Sequence, residues 1–332
     1  MMNEKKIKVL FIAGNGRSGS TILHNVLGQI DGFCALGELR EIWLRGAIKN
    51  WWCGCGTAFH DCDFWQEVLT DAYGAPDAVD VQKMYEQTES LRIPHLPLTF
   101  LPGWRKKKIE RLRPYLDQLT KLYQAIQATT NSRVIIDSSK NPSYGYLLRF
   151  IPEIDFYVLH YMRDSLPVSY SWSKKKEFQP GIYMVQKKPS SSAMQWNARN
   201  VTAEIFLRSR PEKFMRLRYE DFIEYPQTAV SAILSMLGEA DVSLPFSASH
   251  TVELNKVNHS VFGNAVRFQN GPVTLRMDNR WRSQMARKDK LAVSALTWPL
   301  RLRYGYLQPG SPSPRQDHKR NELGEKSAVV EN

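Results

Sequence analysis

The sequence holds no apolar run of eighteen or more residues, so it predicts no membrane-spanning helix. Its first stretch, MMNEKKIKVLFIAGNG, has an apolar segment of only about six residues, too short for a signal peptide. A cytoplasmic location is therefore expected. Cysteine is sparse, four in 332 residues, and a reducing compartment makes a disulfide unexpected. Acidic residues are outnumbered, 33 Asp and Glu against 45 Lys and Arg, for a formal charge of +12. That balance suits an anionic ligand, a nucleic acid or a membrane surface. No helix-turn-helix, zinc-finger or RNA-binding signature accompanies it, so nucleic acid is not an expected partner. No internal repeat is visible.

One further absence is more telling. Residues 8–25, KVLFIAGNGRSGSTILHN, read as a buried strand, a Gly- and Ser-rich loop and an amphipathic helix. Gly14, Gly16 and Gly19 let backbone N–H groups converge at a helix N-terminus, where the dipole favours anions. Ser18, Ser20 and Thr21 add hydroxyls and Arg17 adds a charged fork. The nearest ATPase pattern, G-x-x-x-x-G-K-[ST], fits Gly14, Gly19 and Thr21. Ser20 stands where the lysine belongs. Without that lysine, ATP hydrolysis and phosphoryl transfer are disfavoured.

The motif GNGRSGSTILHNVL resembles the 5′-phosphosulfate loop of sulfotransferases that use 3′-phosphoadenosine-5′-phosphosulfate (PAPS). Gly16, Arg17, Ser18, Gly19, Ser20 and Thr21 would then grip the cofactor. A second match is FYVLHYMRDSLPVSYSWS, residues 156–173. In this family a strand-end arginine and a serine eight residues later hold the 3′-phosphate, and Arg163 and Ser171 have that spacing. Gly37-Glu38 matches the Gly-Glu of tyrosylprotein sulfotransferases, in which the glutamate is the general base. Lys140, in Lys140-Asn141-Pro142, matches the lysine that meets the bridging oxygen. The resemblance thus implies Glu38, Lys140 and Arg17 as catalytic residues, with PAPS as co-substrate and no metal. The histidines His24, His60 and His160 fit no recognisable motif of the histidine-using members.

Two later segments extend the resemblance to about residues 7–306, and the Cys53-Gly54-Cys55-Gly56 segment is similar to one in bacterial carbohydrate-type members. LRYEDFIEYPQTAVSAILSMLG includes Tyr219, either an adenine neighbour or a core aromatic. HSVFGNAVRFQNGPVTLRMDNRWR offers Arg267 or Arg280 to close over the 3′-phosphate, with Arg267 the assigned choice.

Strands are predicted at 8–13, 133–137, 156–162 and 214–219, and helices at 110–128 and 226–237. Alternation of this kind predicts an α/β fold with a central parallel sheet covered on both faces, and the resemblance implies that this is the P-loop-like three-layer α/β/α fold. The resulting sulfotransferase domain spans 1–308, with acceptor-site insertions at about 45–130 and 174–195. Residues 309–332, polar and rich in Pro and Ser, are expected to be disordered. Cys53, Cys55 and Cys62 in WWCGCGTAFHDCDFW fit a tight turn of packed thiols better than a zinc site or a redox role, because no second pair of ligands follows. Trp43, Trp51, Trp52, Trp65 and Trp104 are read mainly as packing. The basic runs around Arg105–Lys108, Arg111 and Arg113, and at Lys174–Lys176, read as solvated faces, with a lipid surface or anionic acceptor as the alternative.

The expected activity is sulfuryl transfer from PAPS to a hydroxyl or amine of a small molecule, glycan or lipid. A P-loop small-molecule kinase and a non-catalytic nucleotide-binding protein are the alternatives.

Overall fold

Side chains along β1 (Ile7–Gly14) point alternately into two separate apolar clusters. Val9, Phe11 and Ala13 enter one, Leu10 and Ile12 the other. A strand apolar on both faces needs cover on both, which a parallel sheet between helical layers supplies. The computed structural model describes residues 6–208 and 210–307. The tail expected at 309–332 lies outside the described residues.

The other strands are β2 (Phe33–Ala35), β3 (Val134–Lys140), β4 (Ile154–Met162), a hairpin of β5 (Glu177–Gln179) and β6 (Ile182–Tyr183), β7 (Phe214–Arg218), and β8 (Phe246–Ala248), β9 (Thr251–Leu254) and β10 (Gly271–Thr274). Five of them form a parallel sheet in the order β2-β3-β1-β4-β7. The last three make a small antiparallel sheet. The strands predicted at 8–13, 133–137, 156–162 and 214–219 correspond to β1, β3, β4 and β7. The edge strand β2 has three residues, too few for a pattern to register.

Helices α1 (Ser20–Gly28), α2 (Asp63–Tyr73), α3 (Val81–Glu89), α4 (Pro102–Thr130), α5 (Pro142–Leu148), α6 (Ser165–Ser173) and α7 (Pro189–Leu207) precede β7. After it come α8 (Tyr219–Glu224), α9 (Pro226–Leu237), α10 (Trp281–Gln284) and α11 (Arg287–Arg303). The Val9 face is covered by α4, α5 and α7, and the Leu10 face by α1, α8 and α9. The expected three-layer α/β/α architecture is therefore the one observed. The stretch at 45–130 folds as α2, α3 and α4 and shares the first core through Trp65, Val68, Leu112 and Leu119. Among the described residues no helix is long and apolar enough to cross a membrane.

Candidate active site

Every strand of the parallel sheet delivers something at its carboxyl end, where open α/β sheets bind ligands. β1 runs into the glycine-rich loop, β2 leads to Glu38, β3 ends on Lys140, β4 leads to Arg163, and β7 leads to Tyr219. In register, Lys140 lies opposite Ala13 and Tyr161 opposite Gly14. The loop therefore leaves the sheet between Lys140 on one side and Arg163 on the other. Two of these charged residues carry left-handed backbone, Arg17 at φ 70 and Lys140 at φ 61. Such conformations cost of order 1–3 kcal/mol each and concentrate at functional sites.

The loop is boxed in by aromatic rings. Gly19 has φ +83, and a Cβ there would stand 2.6 Å from the Tyr219 ring. The Trp172 indole N–H donates to the Gly16 carbonyl at 3.2 Å. Tyr219 also carries the Arg163 guanidinium 4.3 Å above its ring, and Arg163 donates to the Asp278 carbonyl at 3.2 Å. Lys176 Nζ donates to Ser171 Oγ at 3.4 Å. Burial, and then the nearby Arg17, brings the Lys176 ammonium down to about 8, with Arg280 and Arg163 adding to the effect. Burial, and then Arg163, lowers the Arg17 guanidinium to about 10. Arg17, Arg163, Lys176 and Arg280 thus share one cationic hollow, in which Asp278 pairs with Arg280 at 2.8 Å. Within it Arg17 Nε, Ser18 Oγ and Arg163 Nε are buried donors with no hydrogen-bond partner among the described residues. A multiply charged anion is the ligand such donors fit.

Beside this hollow, Lys140 Nζ donates to Glu38 Oε1 at 2.7 Å and to the Ser138 carbonyl at 2.8 Å. Asn141 N–H donates back to the Ser139 carbonyl at 2.7 Å, so Lys140 sits at the centre of a γ-turn. Buried Asp137 fixes this turn by accepting from Ser139 N–H at 2.8 Å and from the Tyr123 hydroxyl at 2.7 Å. Burial raises its carboxyl to about 6. Glu38 is fixed in turn: its N–H donates to the Phe262 carbonyl at 3.3 Å, and the preceding Gly37 N–H donates to His24 Nε2 at 3.1 Å. His24 is fully buried, and burial followed by Lys140 lowers its imidazole to about 3, so it stays neutral and accepts.

A sequence profile of the sulfotransferase family matches residues 10–242. The chain belongs to the sulfotransferase family. Its fold is similar to the sulfotransferase domain from the curacin biosynthetic pathway, at 16% identity and a TM-score of 0.51, covering 90% of this chain and 98% of that one. The sulfotransferase domain from the Synechococcus PCC 7002 olefin synthase gives 16% identity and a TM-score of 0.50, covering 90% of this chain and 96% of that one. At that identity the likeness is one of fold. No curated protein matches the sequence. Family and fold together support sulfuryl transfer as the activity.

The carboxyl ends of the sheet bring together many of the residues singled out in the sequence. Arg17, Ser18, Gly19, Arg163 and Ser171 line the hollow. The Thr21 hydroxyl accepts from Asn264 N–H at 3.4 Å, and Ser20 is buried at the start of α1. Tyr219 belongs to the second apolar cluster, 6% exposed, and carries the Arg163 guanidinium over its ring. Arg267 is not brought into the hollow. It is 0% exposed, and its guanidinium donates to the Trp52 carbonyl at 2.7 Å and the Ser260 carbonyl at 3.4 Å, whereas Arg280 is the late arginine beside Arg163. The Lys174–Lys176 run is corrected in part. Lys174 and Lys175 are exposed, while Lys176 turns into the hollow. Arg105, Lys106, Lys107, Arg111 and Arg113 are exposed on α4. Trp43 and Trp65 are core residues.

Four contributors were not legible as such: Lys176, Trp172, His24 and Arg199. Arg199 projects from α7 near enough to Glu38 to feel its charge, although burial is the larger influence and lowers its guanidinium. His160 is a packed core residue bonded to Asn200 at 2.9 Å, in keeping with its place in a strand.

Proposed function

We propose that this sulfotransferase uses PAPS as donor and a hydroxyl as acceptor, with Glu38 as the base. The observation that carries the reading is the pairing of Glu38 and Lys140 at 2.7 Å on neighbouring strand ends, next to a cationic hollow whose buried donors find no partner among the described residues. PAPS, when bound, supplies an activated sulfuryl group and a phosphate leaving group. Arg163, Ser171, Lys176 and Arg280 hold a terminal phosphate. Arg17, Ser18 and the loop N–H groups hold the phosphosulfate end. Glu38 takes the proton of the acceptor hydroxyl as the new O–S bond forms. Lys140 Nζ donates to the oxygen that departs as the old S–O bond breaks. His24 and the Phe262 carbonyl orient Glu38 for that task.

The acceptor side is aromatic. Trp51 packs with Phe178 and Phe262, at ring separations of 4.9 and 5.9 Å, and Arg45 lies 4.3 Å over Trp51. A ring-bearing or sugar hydroxyl suits such a surface. Calorimetric titration with 3′,5′-ADP and with ATP plus magnesium tests the donor. Tight binding of 3′,5′-ADP is expected, and binding of ATP alone would refute the reading. Labelled PAPS offered with panels of sugars, phenols and lipids identifies the acceptor.

A further inference from the structure

We propose that Cys53, Cys55, Cys62 and His259 form a structural Zn²⁺ site. The four side chains offer three thiols and an imidazole, all with ligand atoms within 4.8 Å of one another. The spacing is specific. Cys62 Sγ lies 3.6 Å from Cys53 Sγ and 3.6 Å from Cys55 Sγ. His259 Nδ1 lies 3.4 Å from Cys62 Sγ and 3.7 Å from Cys53 Sγ. A tetrahedron with Zn–S near 2.3 Å and Zn–N near 2.05 Å has S···S edges of about 3.8 Å and S···N edges of about 3.6 Å. These four separations match those edges. A disulfide needs sulfurs at about 2.05 Å and would use two of the three thiols, leaving the third beside an imidazole.

The surroundings are built for the cluster. Gly54 separates the first two cysteines because a Cβ there would stand 2.1 Å from Asn258 Oδ1, so only glycine lets this turn press against the strand of chain that brings His259. The His259 ring is stacked on Phe64 at 4.4 Å, and its carbonyl accepts from the Trp65 indole at 3.0 Å. Three thiolates around Zn²⁺ leave a net charge of −1 once the thiol protons depart. The buried Arg267 guanidinium, bonded to the carbonyl of Trp52 next to Cys53, supplies the counter-charge. All four positions are protein ligands, which is the pattern of a structural rather than a catalytic zinc.

The metal would join two segments nearly two hundred residues apart at the wall beside Glu38. Gly54 N–H donates to the Ser260 carbonyl at 3.0 Å, and the Phe262 carbonyl holds Glu38 N–H. The site does not depend on the donor or on the acceptor.

Metal analysis of the full chain, purified reducing and chelator-free from zinc-supplemented cells, is expected to give one zinc per chain. A mercurial reagent should release it in step with thiol titration. C62S and H259A should lose the metal, while H259C should keep it. If the alanine and serine variants fail to fold, Co²⁺ added to metal-depleted wild-type protein provides the second measurement. Thiolate-to-cobalt charge-transfer bands with strong tetrahedral visible absorption are expected. Wild-type protein that carries no stoichiometric metal and develops no such bands overturns the proposal, as does a native Cys53–Cys62 or Cys55–Cys62 disulfide found by mass spectrometry.

Discussion

Replacing His24 by glutamine should flatten the acid sensitivity of the fold by a calculable amount. The buried imidazole is held neutral, its folded value lowered from 6.5 to about 3 by burial and then by Lys140. The unfolded chain therefore binds a proton that the folded chain refuses at every pH between those values. Stability from this residue is intact above pH 6.5 and is lost as pH falls towards 3. Between pH 7 and pH 5 the loss is roughly 2 kcal/mol, obtained by integrating the proton-binding difference, and it hardly depends on the folded value once that lies below 4. His160, lowered to about 4 by burial, adds a similar loss. Asp137 at about 6 and Glu220 at about 7, both raised by burial, act in the opposite sense, since folding favours their protonated forms. The wild-type curve alone is therefore a sum of opposed effects. The difference between wild type and H24Q isolates His24, because the other groups cancel. Glutamine keeps an acceptor for Gly37 N–H, so the variant should retain transfer activity. Urea unfolding followed by tryptophan fluorescence at both pH values is the assay. The reasoning fails if the stability gap between the two proteins is the same at pH 7 and pH 5.

Four further outcomes follow from the same geometry. Glu38→Gln should bind 3′,5′-ADP as wild type does and lose about 10²–10⁴-fold in turnover with PAPS, measured by label transfer. Arg163→Ala should weaken 3′,5′-ADP binding by about 1.5–3 kcal/mol in calorimetry, the range for charge-assisted hydrogen bonds. Arg267→Ala should leave that affinity alone and instead lower stability by about 1–3 kcal/mol, because the Trp52 carbonyl loses its donor; a selective loss of affinity would contradict its placement. Lys176 loses its proton as pH rises through about 8, so 3′,5′-ADP affinity should drop between pH 7 and pH 9 and K176M should lack that drop.

The glycine-rich loop and the ends of β3 and β4 were readable because each couples a short apolar run to a charged residue at a fixed offset. Glu38 was readable only through its Gly-Glu neighbourhood, since the three residues of β2 carry no periodicity. Lys176 hid inside a run of three lysines, two of which are exposed, and composition cannot say which member turns inward. Arg267 and Arg280 had equal claims in sequence. Only packing distinguishes a guanidinium sealed under Trp52 from one paired with Asp278 beside Arg163. His259 lies 197 residues beyond Cys62, far outside any local ligand spacing, so the three cysteines looked like an incomplete set. His24 was set aside for lacking a catalytic motif, and its work is to accept one backbone N–H.

Lys140 and Arg163 leave the sheet from β3 and β4, which flank β1. Two strand spacings separate those strands, about 10 Å, and hydrogen-bonded ladders do not stretch. The sheet is in this sense a ruler between the two ends of the proposed donor. The loops and the β5–β6 hairpin that carry Trp51, Phe178 and Phe262 can be remodelled without moving either mark. Under the proposed function, acceptor range is consequently set by different parts of the chain from the strand ends that fix the spacing of Lys140 and Arg163.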